Sequence, residues 1–311
     1  MALPRRETAA RRSLLDASVN WVTPAGPGAL ESRYVRREPH YFAAYLSSQT
    51  GCRQACRMCH LTATRQTRLR DVTVDELLQQ ANHVLCHAAT QAPAETVHYN
   101  FMARGEPLAS QVLVERSGEV FDRLWRRAAD DGLKARFLVS TILPRSLTRP
   151  LEDVFDRYQP EIYYSLYTMS PRLRRRWLPQ ALPAEEGLDR LVAWQRRSYK
   201  IVKLHFAFID GLNATPADVH AICDAVLARD LFVHVNVVRY NPPTPEHGAE
   251  PPNDRFEELV ALLRSRLPGR VKVIPRVGPD VYASCGMFDP GPGRSRATEE
   301  APSLDPERLA R

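Results

Sequence analysis

The chain has 311 residues, 44% of them hydrophobic, and a formal net charge of +7, which allows one large α/β barrel or two domains and excludes a wholly disordered chain. No apolar run reaches membrane-span length, the N-terminus lacks the apolar stretch of a secretory signal, and three clustered plus three scattered cysteines do not read as a disulfide framework. The expected setting is therefore the cytoplasm, with no membrane, and the basic excess, almost all Arg, suits phosphate contacts without naming a nucleic-acid partner.

Residues 1–30 are rich in Arg, Ala and Pro and end in Thr23-Pro24-Ala25-Gly26-Pro27-Gly28. They read as a tail and linker, with a short helix over 11–16. A core domain over 31–290 follows. Its first strand, expected at 41–48, runs into Ser47-Ser48-Gln49-Thr50-Gly51-Cys52-Arg53-Gln54-Ala55-Cys56-Arg57-Met58-Cys59-His60. Cys52, Cys56 and Cys59 are spaced so that one loop can wrap three thiolates around a single inorganic centre. Thiolates select zinc or iron–sulfur clusters. Three ligands on a four-iron, four-sulfur cluster leave one iron open, as a reactive site requires. The alternative is a Cys3His zinc site completed by His60, although His60 directly follows Cys59 and structural zinc ligands are usually spaced by gaps.

Beyond the loop, Thr73-Val74-Asp75-Glu76 is a capping box, and Val74, Leu77, Leu78, Ala81, Leu85 and Ala88 follow at helical spacing. Strands are expected at 96–102, 136–140, 162–167, 202–209 and 232–240. Helices are expected near 110–130, 147–157, 183–198, 215–229 and 253–266. This alternation predicts a parallel sheet with right-handed crossovers, an open or complete barrel of about six units. Residues 291–311 are rich in Pro, Gly and charge and read as a disordered tail.

Parallel barrels place their sites at the C-terminal ends of the strands. There the chain carries Ala103-Arg104-Gly105-Glu106-Pro107, Ser140-Thr141, Ser165-Leu166-Tyr167 and Tyr240-Asn241-Pro242. Each is weak alone, since Gly-Glu-Pro is an ordinary turn and a strand-end Ser is usually a cap. Four polar ends beside one cysteine loop form a pattern.

The order of these motifs resembles the RlmN/Cfr family of radical S-adenosylmethionine (SAM) enzymes, which methylate adenine in RNA. Ser47 to Cys52 is similar to the family's lead-in to its cluster. Gly105-Glu106-Pro107 resembles its SAM-amine motif. Ser140, Ser165, Tyr167 and Asn241 match further SAM contacts, with Tyr167 where the family usually has His. Asp210-Gly211-Leu212-Asn213 matches a turn after the fifth strand. Gly278-Pro279-Asp280-Val281-Tyr282-Ala283-Ser284-Cys285-Gly286 is similar to the segment that carries the methyl-accepting cysteine, and Glu31 falls near the proposed proton acceptor. The resemblance implies an α/β fold, a partial parallel (β/α)6-type barrel of the radical SAM class. It implies one 4Fe-4S cluster on Cys52, Cys56 and Cys59, and SAM bound by Gly105, Glu106, Ser140, Ser165, Tyr167 and Asn241. It implies catalytic Cys285 and Glu31, a flavodoxin- or ferredoxin-type electron donor, and RNA as a partner. In such enzymes one SAM methylates the cysteine, and a second, cleaved at the cluster, lets the resulting methyl group be activated and added to the ring.

Two features depart from the family. The position of its second, product-releasing cysteine, seven residues before the first cluster cysteine, is Tyr45. A phenol with a pKa of about 10 exchanges protons but forms no disulfide. The N-terminal stretch is also short for a separate RNA-binding domain, which keeps a second reading in view: a radical SAM enzyme that modifies a small molecule. Cys223 and Cys86 lie on expected helices and read as inert. Arg172, Arg174, Arg175, Arg176 and Trp177 suit a phosphate and a stacked base, or form a solvated helix face. His98, His205 and His234 read as satisfied core groups.

Overall fold

The computed structural model describes residues 7–290. Its strands form one ten-stranded sheet in chain order. β1 (Ala9–Arg12), β2 (Val19–Ala25), β3 (Gly28–Glu38) and β4 (Tyr41–Leu46) pair antiparallel in succession. From β4 onward every pairing is parallel, through β5 (Thr96–Phe101), β6 (Lys134–Thr141), β7 (Glu161–Tyr164), β8 (Val202–Phe206), β9 (Val233–Val238) and β10 (Val271–Ile274). β1 and β10 are the two free edges, so the barrel is open.

The front of the chain corrects the tail-and-linker expectation. The Pro- and Gly-rich run is a hairpin turn: Ala25 pairs with Gly28 across Gly26 and Pro27, and Gly26 takes φ of 60°, which glycine adopts without strain. Pro24 is tolerated in β2 because, among the described residues, β1 pairs only with Val19 to Val22 and no partner on that edge needs its N–H. The helix expected over 11–16 is instead the end of β1 and a bend. There the Ser13 hydroxyl accepts the N–H groups of Leu15 and Asp16. β10, a four-residue strand, was absent from the expected elements. The tail over 291–311 lies outside the described residues.

The crossover helices are α1 (His60–Ala63), α2 (Val74–Ala88), α3 (Gln111–Glu115), α4 (Ser117–Asp130), α5 (Leu151–Val154), α6 (Pro171–Trp177), α7 (Ala184–Ser198), α8 (Pro216–Leu227) and α9 (Asn253–Arg266). α2 starts at its capping box, with the Glu76 N–H on the Thr73 hydroxyl at 3.1 Å and the Thr73 N–H on the Glu76 carboxylate at 2.8 Å. The helix expected over 110–130 breaks at Arg116 into α3 and α4, and the one near 147–157 shrinks to the single turn of α5.

Strand alternation separates two faces. Val202, Leu204 and Phe206 of β8, like Val233, Val235 and Val237 of β9, join the main apolar core with the helices. Their neighbours Lys203, His205, His234 and Asn236 turn the other way, into the barrel. Burying each outward aliphatic stabilises the fold by about 1.5–3 kcal/mol. The inner face is free to be polar. Among the described residues no helix is long and apolar enough to cross a membrane.

Candidate functional site

The cysteine loop is held by backbone bonds to the segment after β5, to the stretch after α1 and to the end of α6. The Ser48 N–H donates to the Arg104 carbonyl (2.8 Å), Cys52 N–H to Gln66 (3.1 Å) and Arg57 N–H to Trp177 (2.9 Å). Gly105 makes the tight approach possible: a Cβ there would sit 2.5 Å from Ser48 Oγ and 2.8 Å from the Gln49 nitrogen, and its φ is +98°. With this packing, Cys52, Cys56 and Cys59 line one cavity together with Gly105, Glu106, Ser140, Ser165, Tyr167, Asn241 and Cys285. Every residue singled out for the site reaches it except Glu31.

Burial, then the charge of Cys59, pushes the Cys52 thiol up to about 12. Burial likewise raises Cys56 and Cys59. The free thiols are thus neutral, and a metal centre bound by them would have to displace their protons. His60 does not join them. Its Nε2 lies 3.3 Å from the Asn241 carbonyl, and its backbone N–H donates to Gly286, so the Cys3His arrangement loses its fourth ligand.

Glu106 sits opposite the cysteines. Its carboxylate accepts from Thr141 Oγ1 (2.6 Å), Leu108 N–H (3.1 Å) and Ile142 N–H (3.1 Å), and its own N–H is held by Gln49 (3.2 Å). Burial outweighs these three donors and raises its pKa to about 7. A buried carboxylate without a cation is a receptor for an amine. Polar atoms of other lining residues also lack partners: Ser140 Oγ, Gln54 Oε1 and His205 Nδ1. Such atoms are costly unless a ligand or water satisfies them, so the cavity fits a polar molecule with an amino group.

Tyr167 takes φ of 59°, an unusual conformation for a tyrosine. Asn213 holds it there, donating to the Tyr167 carbonyl (2.9 Å) and the Ala207 carbonyl (3.0 Å) while accepting from Ile209 N–H (2.7 Å). Asn241 has little left for a ligand. Its amide nitrogen donates to the Cys285 carbonyl (3.0 Å) and its oxygen accepts from Arg276 (2.9 Å). What it positions is the Cys285 segment. Cys285 Sγ lies 3.8 Å from Met102 Sδ. Burial raises this thiol, against the pull of Arg37 and Arg33.

Glu31 departs from the expected role. It is fully buried, and its carboxylate accepts from Asn20 Nδ2 (3.0 Å), Arg33 (2.7 Å), Arg104 Nε (2.7 Å) and the Asp289 N–H (3.0 Å). Burial alone would raise its pKa, but the guanidiniums of Arg104 and Arg33 win and bring it down to about 2. A carboxylate so held is a poor proton acceptor. Arg33 also donates to the Met287 carbonyl (2.7 Å) and Arg104 to Asp289 (2.8 Å). The group clamps the segment after Cys285 onto β3. Arg33 and Arg104 carried no signal in the sequence, because their partners lie some 250 and 180 positions away.

The basic helix α6 also reads differently. Arg174 is buried and donates to the Leu182 carbonyl (2.7 Å), the Leu166 carbonyl (2.5 Å) and the Tyr164 hydroxyl (2.8 Å). Trp177 packs with Met58, Leu178 and Ile142 rather than offering a stacking face. Only Arg172, Arg175 and Arg176 are exposed. His205 is not a satisfied core group: its orphaned Nδ1 faces the cavity. Cys223 is buried in the main core with Val219, Ile222 and Val226, whereas Cys86 is exposed.

No family model matches the chain. A probable dual-specificity RNA methyltransferase RlmN of Synechococcus sp. (strain RCC307) is 30% identical over 251 residues, 78% of this chain and 68% of that protein. Another of that name, from Porphyromonas gingivalis, is 25% identical over 292 residues, 93% of this chain and 77% of its own length. Among solved structures, a radical SAM methyltransferase from Sphaerobacter thermophilus superposes with a TM-score of 0.76 at 20% identity, covering 91% of this chain and 82% of that one. That likeness establishes the fold. The identity with the Synechococcus protein over most of both chains establishes more: the chain belongs to the RlmN family of radical SAM methyltransferases, enzymes that work with a 4Fe-4S cluster and SAM.

Proposed function

We propose that the chain methylates an adenine of RNA, with Cys285 as the methyl carrier. The observation that carries this reading is the shared cavity, in which the Cys285 thiol faces the same space as Cys52, Cys56, Cys59 and Glu106. Cys52, Cys56 and Cys59 hold the cluster as thiolates. Glu106 takes the amino group of SAM, while Ser140, Ser165 and Tyr167 line the remainder of its bed. When bound, cluster and SAM supply a methyl group for a sulfur nucleophile and a one-electron route to hydrogen abstraction. To accept a methyl group from bound SAM, Cys285 would have to act as a thiolate, and Arg37 and Arg33 favour that form. The electron comes from a flavodoxin- or ferredoxin-type donor, for which the exposed Arg53 and Arg57 of the cluster loop offer positive charge.

One observation favours the second reading, a small-molecule substrate. Tyr45 stands in place of the family's second cysteine, with its hydroxyl held by Arg37 at 2.9 Å, and no disulfide can close there. Peptide mass spectrometry after incubation with methyl-labelled SAM tests the carrier role. Label is expected on the Cys285 peptide and absent in Cys285→Ala. An unmodified Cys285 in protein that still forms methylated product excludes the relay.

A further inference from the structure

A second cavity lies inside the barrel, on the far side of Cys285 from the cluster. Cys285, Met102 and His205 line both spaces. The second opens among the N-terminal ends of the strands, where His40, Arg270 and Lys272 are exposed. Its volume is about 290 Å³, against the roughly 10–15 Å³ that one water needs. It is therefore large enough for a molecule, and a molecule placed in it reaches Cys285 without passing through the SAM bed.

The lining states what would fit. Asn100 is only 5% exposed, and its Oδ1 is a buried acceptor without a donor. It calls for an N–H, as on the exocyclic amine of a base. Tyr45, Tyr163 and His205 give flat or edge-on faces for a ring. Arg37 donates to Tyr45, its Nε is buried without an acceptor, and among the described residues no carboxylate pairs with it. Of the other cations, Lys203 is paired with Glu161 (2.6 Å), Lys272 lies 3.5 Å from Glu38, and Arg270 is exposed at the mouth. Arg37 is the half-buried cation left inside, and it fits an anion.

We propose that this cavity is the substrate site and takes a nucleotide from the N-terminal end of the barrel, its base amine on Asn100 and its phosphate on Arg37. The proposal rests on the methyltransferase reading above and gives that reading its substrate-binding residues. A charge-assisted hydrogen bond to phosphate corresponds to roughly a ten- to hundredfold preference.

The test is calorimetric titration of the reconstituted enzyme, saturated with S-adenosylhomocysteine, with adenosine 5′-monophosphate and with adenosine. The monophosphate is expected to bind at least tenfold tighter, and Arg37→Met to remove that preference while leaving adenosine affinity unchanged. The wild-type comparison stands even if the variant fails to fold. An adenine-containing oligoribonucleotide that displaces the monophosphate supports the site with a strand as the source. Failure to displace it supports the site with the free nucleotide as the source. Equal binding of nucleoside and nucleotide, or no binding of either at millimolar concentration, overturns the proposal. Label on Cys285 in that same protein would show that the methyl-carrier reading survives it.

Discussion

Glu106 is the side chain on which SAM affinity should turn, and its surroundings give that affinity a pH dependence. In the free protein burial raises its pKa from 4.5 to about 7 despite three donors, so below neutrality the carboxyl is protonated and no longer complements an ammonium group. Binding a cation requires the carboxylate, so the complex forms with proton release as pH falls below 7. The affinity for S-adenosylhomocysteine should drop about fivefold between pH 7 and pH 6, approaching tenfold per unit below that. The same raised value acts on stability in the opposite sense from a salt-bridged carboxylate. Its contribution is fully present below 4.5 and is lost as pH rises through about 7. Removing the carboxylate by Glu106→Ala costs a charge-assisted bond of about 1.5–3 kcal/mol and should weaken binding ten- to hundredfold at pH 8. Equilibrium dialysis across the pH range checks both statements. A flat profile in wild type, or unchanged affinity in a variant that still holds its iron, would remove Glu106 from the amine site.

Among the elements, β3 and the segment around Cys285 depend on each other through Glu31. Glu31→Gln would leave Arg33 and Arg104 buried without a counter-charge, a loss of about 3–5 kcal/mol, and would free Asp289 and Met287 from β3. The expected outcome is a large fall in melting temperature and early proteolysis after Gly286. The low pKa of Glu31, about 2, means its contribution is present above 4.5 and is lost as pH falls through 2. A variant with native stability and no turnover would instead support a proton-transfer role. This clamp was illegible in the sequence, since residues 31, 104 and 289 meet only through the fold. By contrast, α2 carries local signals, a capping box and apolar spacing, and both it and α9 match the expected boundaries. β10 is too short for its alternation to stand out, and β2 was obscured by a turn that looks like a linker. The cysteine loop and the strand-end motifs were legible because their chemistry is carried by adjacent residues. The polar inner face was present in the alternation of Lys203 and His205 with Val202, Leu204 and Phe206. That alternation alone does not announce a site, because a histidine in a strand is usually satisfied.

Over the whole molecule, the apolar core and the inorganic site are separate. The core lies between sheet and helices, whereas the cysteine loop sits across the C-terminal ends of the strands on backbone bonds to Arg104, Gln66 and Trp177. Folding of the barrel should therefore not require the cluster, unlike small domains whose folding energy is their metal. Replacing Cys52, Cys56 and Cys59 together with Ala is expected to give protein with native circular dichroism and a cooperative melt, but no iron and no cluster absorption after anaerobic reconstitution. Because burial holds the thiols protonated, ligation must release protons. Iron uptake by wild type should accordingly be faster and more complete at pH 8.5 than at pH 7. Iron analysis and visible absorption follow the loading, and thermal melts of the apo and triple-variant proteins follow the fold. Retention of the cluster in the triple variant would displace these cysteines from the metal site. Loss of the cooperative melt would show that loop and barrel are one folding unit.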